Sequence, residues 1–169
     1  MGCLVSLPQP PVTTDIEYRR LCTVAQQTLT PLKSLNTQKS YFYRDKRQHL
    51  WKLRKDGHIE ELRAVYHNNM RAFLLPANQF LLQPMAIHKL TKTAFAIKMR
   101  HANTDLYEFM DKSFDVRDVT KALRDVAEAI RWLHGRHLAH RDIKPENIVR
   151  HKGRWKLIDF DFCSPIENF

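Results

Sequence analysis

The stretch His140-Arg-Asp-Ile-Lys-Pro-Glu-Asn147 decides how the rest of this chain is interpreted. It is soon followed by Lys156-Leu-Ile-Asp-Phe-Asp161. The two stretches hold four side chains suited to phosphate chemistry, namely Asp142, Lys144, Asn147 and Asp159. One carboxylate can take a proton and the ammonium can hold phosphate oxygens. The amide and the second carboxylate offer oxygens, which Mg²⁺ prefers as ligands.

The residues between Asn147 and Asp159 predict a β-hairpin. Asn147-Ile-Val-Arg and Trp155-Lys-Leu-Ile read as short strands, and Lys152-Gly-Arg reads as the turn between them. Such a hairpin would bring Asn147 and Asp159 together at its open end. The alternative is a charged loop beside an ordinary surface hairpin.

This spacing resembles the catalytic loop and metal-binding segment of eukaryotic-type protein kinases. The H-R-D-x-x-x-x-N pattern is complete, and D-F-G is matched at two of three positions because Asp161 replaces glycine. Lys144 resembles the serine/threonine branch of that family. The resemblance implies ATP and Mg²⁺ as cofactors and a protein as the phosphoryl acceptor.

The same resemblance implies a role for each residue. Asp142 would orient and deprotonate the substrate hydroxyl, and Lys144 would stabilise charge on the transferred group. Asn147 and Asp159 would hold Mg²⁺, which bridges the nucleotide phosphates.

Composition is that of a soluble globular protein, with 43% apolar and 27% charged residues in 169. Three widely spaced cysteines predict a reducing, intracellular and cytoplasmic location. The net charge of +10 favours anionic partners such as nucleotides. A basic run at 44–55 would suit nucleic acid, but it lacks aromatic interleaving and a recognisable module, so nucleic acid is not the expected partner.

The N-terminus fits the pattern for myristoylation at Gly2, with Cys3 beside it as a palmitoylation candidate. Two acyl chains would support membrane association, whereas one binds only marginally. A chance match on an ordinary terminus is the equal alternative. Residues 1–34 are interpreted as a tether carrying a short helix within 15–32.

Residues 35–102 are expected to form the small lobe and hinge of a kinase-like domain. Strands are predicted over 35–55, where Asn36, Gln38 and Tyr41 fall near the positions of the family's phosphate-binding glycines. Lys52 is the best candidate for the phosphate-binding lysine and Lys55 is the runner-up.

A helical stripe over 58–70 resembles the family's αC helix. In that alignment Asn68 lies in the turn after the helix, and His58 occupies the position of the glutamate that pairs with the lysine. Glu60 and Glu61 are the substitutes considered. Strands are predicted at 80–88 and 91–98, and Met99 begins a hinge that faces adenine.

Residues 103–169 are expected to form part of a helical large lobe. A short helix is predicted over 105–110, and the clearest helix spans 115–134, with Asp115 as N-cap and Gly135 as C-cap. Only eight residues follow Asp161, where the family continues with an activation segment and further helices. The predicted fold class is α+β, a kinase-like domain truncated at its C-terminal side.

Three functions from different classes follow. The first is an ATP- and Mg²⁺-dependent serine/threonine protein kinase. The second is a catalytically weak or inactive kinase-like chain that acts as a decoy by binding another kinase, since exposed apolar patches mark partner sites. A basic module binding nucleic acid or membrane through 44–55 is the third and weakest alternative.

Overall fold

The computed structural model describes residues 16–55, 58–112 and 115–166. The acylation pattern at Gly2 and Cys3 lies outside the described residues. The helices are α1 (Ile16–Ala25), α2 (Ile59–Leu74), α3 (Leu106–Lys112) and α4 (Val116–His134). The strands are β1 (Thr30–Pro31), β2 (Ser40–Arg44), β3 (Leu50–Lys55), β4 (Ala86–Thr91), β5 (Ala94–Met99), β6 (Thr104–Asp105), β7 (Leu138–Ala139), β8 (Ile148–His151), β9 (Arg154–Leu157) and β10 (Ser164–Pro165).

The first lobe is built on one antiparallel sheet in the order β1-β2-β3-β5-β4. Side chains alternate between its two faces along each strand. Trp51 and Leu53 of β3 pack in the cluster that includes α1. Lys52 is paired across the sheet with Ile97, which packs against α2 on the opposite face. Both faces of the sheet are therefore covered.

The turn between β2 and β3 is organised by the buried carboxylate of Asp45. Its oxygens accept hydrogen bonds from the backbone N–H groups of Arg47 and His49, at 2.9 Å each. The indole N–H of Trp51 donates to the same carboxylate at 3.2 Å. Hydrogen bonding to the ionised form offsets its burial, so the pKa of Asp45 lies below its usual value.

The segment 16–34, expected to be a tether, is largely part of the first lobe. Leu21 of α1 and Leu29 are buried against the sheet, and Thr30 pairs with Arg44. The helix ends at Ala25, well short of the predicted residue 32. The boundary predicted at residue 35 therefore divides a packed unit.

The turn predicted at Asn68 is wrong, because α2 continues to Leu74. The helix ends where Leu75 adopts an extended conformation immediately before Pro76. A residue that precedes proline is disfavoured in helical conformation, which explains this end point. As a result Asn68 and Asn69 belong to the last part of the helix.

The strand predicted at 80–88 begins only at Ala86. Pro84 has no N–H to donate to a ladder, and the chain before it pairs elsewhere. The N–H of Leu82 donates to the carbonyl of Leu157 at 3.0 Å, and the N–H of Leu157 donates to that of Phe80 at 2.9 Å. This exchange joins the chain leaving α2 to the second lobe.

The second lobe packs α4 against the β8–β9 hairpin, and the predicted helix and hairpin are both confirmed. Asp115 caps α4 by accepting from the N–H of Arg117 at 2.9 Å, and the N–H of Gly135 donates to Arg131 at 3.0 Å. The buried face of α4 comprises Ala122, Asp125, Val126, Ala129 and Leu133. Val116 and Leu123, which the helical spacing of apolar residues at 116, 119, 123, 126, 130 and 133 would also place on this face, are exposed instead. The α+β fold class, with a β-rich first lobe and a helical second lobe, is confirmed.

No helix in the described parts of the chain is long and apolar enough to cross a membrane.

Candidate active site

A cleft lies between the two lobes and encloses about 250 Å³. Leu35 and Phe42 cover it from the first lobe, and Ile158 and Phe160 line it from the second. Met99, the expected start of the hinge, lines both this cavity and a neighbouring one of about 340 Å³ along 99–105. The apolar walls and few polar groups are typical of a nucleotide or small-molecule site.

Lys52 lies at the inner end of the cleft and is only 6% exposed. Its ammonium contacts both carboxylate oxygens of Asp159, at 3.0 and 3.1 Å, and Oδ2 of Asp161 at 2.9 Å. Burial alone would lower the pKa of Lys52, but the attraction of Asp161 and Asp159 outweighs it and the pKa is raised. The lysine is therefore charged at neutral pH.

Lys55, the runner-up, lies three positions after Lys52 in β3, so the alternation of side chains puts it on the opposite face of the strand. Its ammonium is 4.8 Å from the centre of the Tyr41 ring. Lys55 is therefore not among the groups that the structure brings to the cleft.

The basic run at 44–55 does not form a continuous surface. Lys52 and Arg54 are buried in the first lobe and directed towards Asp161. Two of its cations are therefore directed into the protein and not towards solvent.

Neither Glu60 nor Glu61 reaches Lys52. Glu60 pairs with Arg63 at 2.9 Å and Glu61 with Lys39 at 2.6 Å, and both pairs are exposed to solvent. The expectation that one of them substitutes for the family's glutamate is wrong, because they lie in the first turn of α2, far from its end near the cleft.

The end of α2 near the cleft presents two asparagines. Asn69 is 2% exposed and donates from its side-chain amide to Oδ1 of Asp161 at 2.9 Å. Asn68 donates to the backbone carbonyl of Asp161 at 2.8 Å. Asp161, which stands where the family has glycine, is thus held between α2 and Lys52.

The catalytic-loop residues meet at Asn147, at the open end of the hairpin, where the N–H of Ile158 donates to the backbone carbonyl of Asn147 at 2.9 Å. The amide nitrogen of Asn147 donates to the backbone carbonyl and to Oδ2 of Asp142, at 2.9 and 2.8 Å. Lys144 contacts Oδ2 of Asp142 at 2.9 Å. That hydrogen bond raises the pKa of Lys144 and keeps it charged. Asp142 therefore faces solvent between an amide and an ammonium.

The loop is anchored from below by His140, which is 2% exposed. The backbone N–H of Asp142 points at Nδ1 of His140 at 3.3 Å, so Nδ1 is an acceptor. Nε2 then carries the proton and donates to the carbonyl of Ile158 at 2.9 Å. Burial lowers the pKa of His140, which favours this neutral form. The ring also packs edge-on against buried Phe160 at 5.5 Å.

The donor set fits a magnesium ion. The side-chain amide nitrogen of Asn147 donates to Asp142, so the side-chain oxygen Oδ1 of Asn147 is the group left to bind a cation. Asp159 supplies a carboxylate beside it in the cleft. Among the described residues, no group of three or more His, Cys, Asp or Glu side chains is arranged for a metal. Two oxygen ligands are nevertheless compatible with Mg²⁺, which commonly takes its remaining ligands from phosphates and water.

Asp159 adopts a left-handed backbone conformation, with φ of 62°. Such conformations cost free energy for residues other than glycine and cluster at functional sites. Burial would raise its pKa, but the Lys52 ammonium outweighs this and the pKa of Asp159 is lowered. The carboxylate is therefore ionised, as a cation ligand must be.

The loop over the cleft is closed by its own side chains. The N–H of Phe42 donates to Oδ1 of Asn36 at 2.9 Å, and the N–H of Ser40 donates to the hydroxyl of Thr37 at 3.1 Å. These two backbone N–H groups are thus already bonded, whereas a glycine-rich loop offers such groups to phosphates. Gln38 and Tyr41, the other residues considered there, line neither cavity at the cleft.

Sequence reasoning missed Asn68, Asn69 and the contacts of Asp161. The signal that would have found the asparagines is Pro76. It marks the end of the helix at a point later than residue 70, and this later end shifts the alignment of the helix with the family. The sequence shows Asp161 as a departure from D-F-G, but it does not show that Asp161 contacts Lys52, which is distant in sequence.

Comparisons with known proteins agree with this geometry. The model of the protein kinase domain family matches residues 77–168, more than half of the chain. MAP kinase-activated protein kinase 2 of Oryctolagus cuniculus is 41% identical over 57 residues, which cover 31% of this chain and 16% of the relative. The dual serine/threonine and tyrosine protein kinase of Pimephales promelas is 37% identical over 73 residues, covering 43% and 8%.

A third relative, MAP kinase-interacting serine/threonine-protein kinase 2 of Xenopus laevis, is 40% identical over 60 residues, covering 33% of this chain and 13% of the relative. The matched region is less than a fifth of the length of each of these relatives. The extent of the family match leads to one conclusion: the chain belongs to the protein kinase domain family.

Proposed function

We propose that this chain carries the phosphoryl-transfer site of an ATP- and Mg²⁺-dependent protein kinase that acts on serine or threonine. The observation that supports this most is the convergence of distant groups on one cleft. Lys52 meets Asp159, 107 residues away, while Asn147, which lines the same cleft, holds Asp142. A structural core would not require two cations, two carboxylates and an amide in this arrangement.

Each residue has a task in that reaction. Lys52, charged and buried, holds phosphate oxygens of the nucleotide. Asp142 accepts the proton of the attacking hydroxyl, and Lys144 beside it neutralises charge on the group in transit. Asn147 and Asp159 would hold Mg²⁺, which supplies charge neutralisation at the phosphates. Met99 and the apolar walls would position the base of the nucleotide.

The choice of serine and threonine rests on Lys144, which lies 2.9 Å from the proton acceptor. Two of the relatives are named as serine/threonine kinases or as dual serine/threonine and tyrosine kinases. Phosphorylation of matched peptides that differ only in serine, threonine or tyrosine checks this choice. Transfer to tyrosine alone would contradict it.

Calorimetry of Mg²⁺-ATP binding tests the site itself, using the whole chain, Asp159→Asn and Asp118→Asn. Asp118 lies on α4 and contacts Arg150, away from the cleft, so its variant is a matched control. We expect saturable, Mg²⁺-dependent binding that is lost in Asp159→Asn and kept in Asp118→Asn. Absence of binding at millimolar nucleotide would overturn the proposed function.

A further inference from the structure

We infer that Asp161 is the carboxylate that positions Lys52 for the nucleotide. In protein kinases that task belongs to a glutamate on the helix corresponding to α2. The inference rests on the proposed function, because the position of Lys52 matters for catalysis only if a nucleotide binds beside it.

The contact between the two side chains is short and buried. Nζ of Lys52 lies 2.9 Å from Oδ2 of Asp161, and their side chains are 7% and 8% exposed. Nε of Arg54 is 3.8 Å from the same oxygen. A carboxylate between two cations in a poorly hydrated interior is held far more firmly than one at the surface.

The helix contributes neutral donors in place of a charge. Asn69 donates to Oδ1 of Asp161, leaving Oδ2 for Lys52, and Asn68 donates to its backbone carbonyl. The carboxylate that pairs with Lys52 therefore lies on the segment that follows Asp159 and not on the helix. The asparagines of the helix still fix the direction in which this carboxylate points. The glutamates of α2 are occupied at the surface, as described above.

Asp159 also contacts Lys52, but it is placed for another task. Its side chain is 30% exposed, and both Asp159 and Lys52 line the cavity. Asp161 is not among the described residues that line it. When Asp159 faces a cation, Asp161 is the carboxylate that remains to hold Lys52 from behind.

The test compares Mg²⁺-ATP affinity and transfer kinetics of the whole chain with three variants. Asp161→Gly restores the family's glycine and removes the partner of Lys52, so we expect the Kd to rise at least about tenfold. Asp161→Asn keeps the volume and an acceptor for Asn69, so it stays folded and shows a smaller rise. In Asp161→Gly with Asn69→Glu, a carboxylate on α2 reaches towards Lys52, and we expect affinity to return to within about threefold of the original.

Rescue by a carboxylate on the helix supports the positioning role, because a merely structural defect would not be repaired in this way. Unchanged affinity in both single variants would overturn the inference. A loss that Asn69→Glu fails to repair, accompanied by an altered Mg²⁺ requirement, would also overturn it, since Asp161 would then act on the metal.

Failure of the proposed function is distinguishable from failure of this inference. If the unmodified chain does not bind Mg²⁺-ATP, the proposed function fails and the nucleotide role of Asp161 fails with it. The ion pair is then measured without nucleotide by urea unfolding of Lys52→Met, Asp161→Asn and the double variant. Non-additive changes support the pair, and additive changes overturn it.

Discussion

The two sides of the cleft both place charged groups at the site, but they do so with different sets of residues. On the second-lobe side, Asp142, Asn147 and Asp159 follow the family pattern and meet through one short hairpin. On the first-lobe side, the glycines and the helix glutamate are absent: Asn36 closes the loop that glycines would leave open, and Asp161 supplies a carboxylate beside Lys52.

The difference reflects how each side is assembled. The second-lobe groups come from one continuous segment, where a single misplaced residue would disturb all of them. The first-lobe side is assembled from β2, β3, α2 and the segment that carries Asp161. A carboxylate that is missing from one of these segments can therefore be supplied by another. What the lysine needs is a buried carboxylate at hydrogen-bond distance, whichever segment carries it.

The second-lobe side is tested most severely by Asp142→Asn. The variant keeps the shape of the side chain but cannot take a proton, so we expect phosphoryl transfer to fall by about 10²–10⁴-fold. Mg²⁺-ATP affinity should change little, because Asp142 is not among the described residues lining the inner cavity. Transfer at the original rate would remove Asp142 from the chemistry.

The first-lobe side is tested by comparing Lys52→Met with Lys55→Met. Removal of Lys52 leaves the carboxylates of Asp159 and Asp161 without their buried partner, so we expect a loss of about 3–5 kcal/mol in the free energy of unfolding, together with loss of nucleotide binding. Lys55→Met removes a contact with Tyr41 and should cost about 1 kcal/mol or less. Urea unfolding measures both, and equal losses would contradict the assignment.

The second-lobe side should also lose stability in acid. His140 has a lowered pKa in the folded chain, so the unfolded chain takes up its proton first as pH falls. Its contribution to stability is present above pH about 6.5 and is lost below that value. Protonation would place a hydrogen on Nδ1, against the N–H of Asp142.

We therefore expect His140→Leu to be less stable at pH 8 but to lose less stability between pH 7.5 and 5.5 than the original chain. Thermal unfolding at a series of pH values measures the slope. His88, His101 and His151 also have lowered pKa values and remain in the variant, so part of the slope will persist. An identical slope would show that His140 is not responsible.

The smallest effect is expected at the loop over the cleft. Asn36→Gly removes the acceptor bonded to the N–H of Phe42 and frees that group to face phosphate. One such hydrogen bond is worth about 0.5–1.5 kcal/mol, so Mg²⁺-ATP affinity should rise about two- to tenfold. Calorimetry measures this change, with Gln38→Gly as a neighbouring control. A weaker affinity in Asn36→Gly would show that the closed loop favours the nucleotide.

Much of the second lobe could be predicted from the sequence because its signals are local. The caps of α4 and the hairpin around Gly153 each lie within a few residues of the structure they specify. The sequence predicts the buried face of α4 less accurately, because the apolar residues Val116 and Leu123 satisfy helical spacing and still face solvent.

The first lobe was harder because its decisive contacts are distant. Alternation places Lys52 and Lys55 on opposite faces, but both faces of β3 are covered, so the pattern alone does not say which one faces the cleft. The pairing of Lys52 with Asp161 spans 109 residues. Only tertiary structure reveals that a substituted glycine and a missing glutamate are two parts of one change.

The surroundings of Trp51 affect the fluorescence of the protein. Its indole N–H is bound to Asp45, and the ammonium of Lys98 lies 5.2 Å from its ring, so two charges bear on its excited state. Trp132 and Trp155, the other two tryptophans, both belong to the second lobe. In a chain with Trp132→Phe and Trp155→Phe, emission from Trp51 reports the first lobe alone, and a Trp51→Phe chain reports the second, so that each half of the cleft can be given its own intrinsic fluorescence signal.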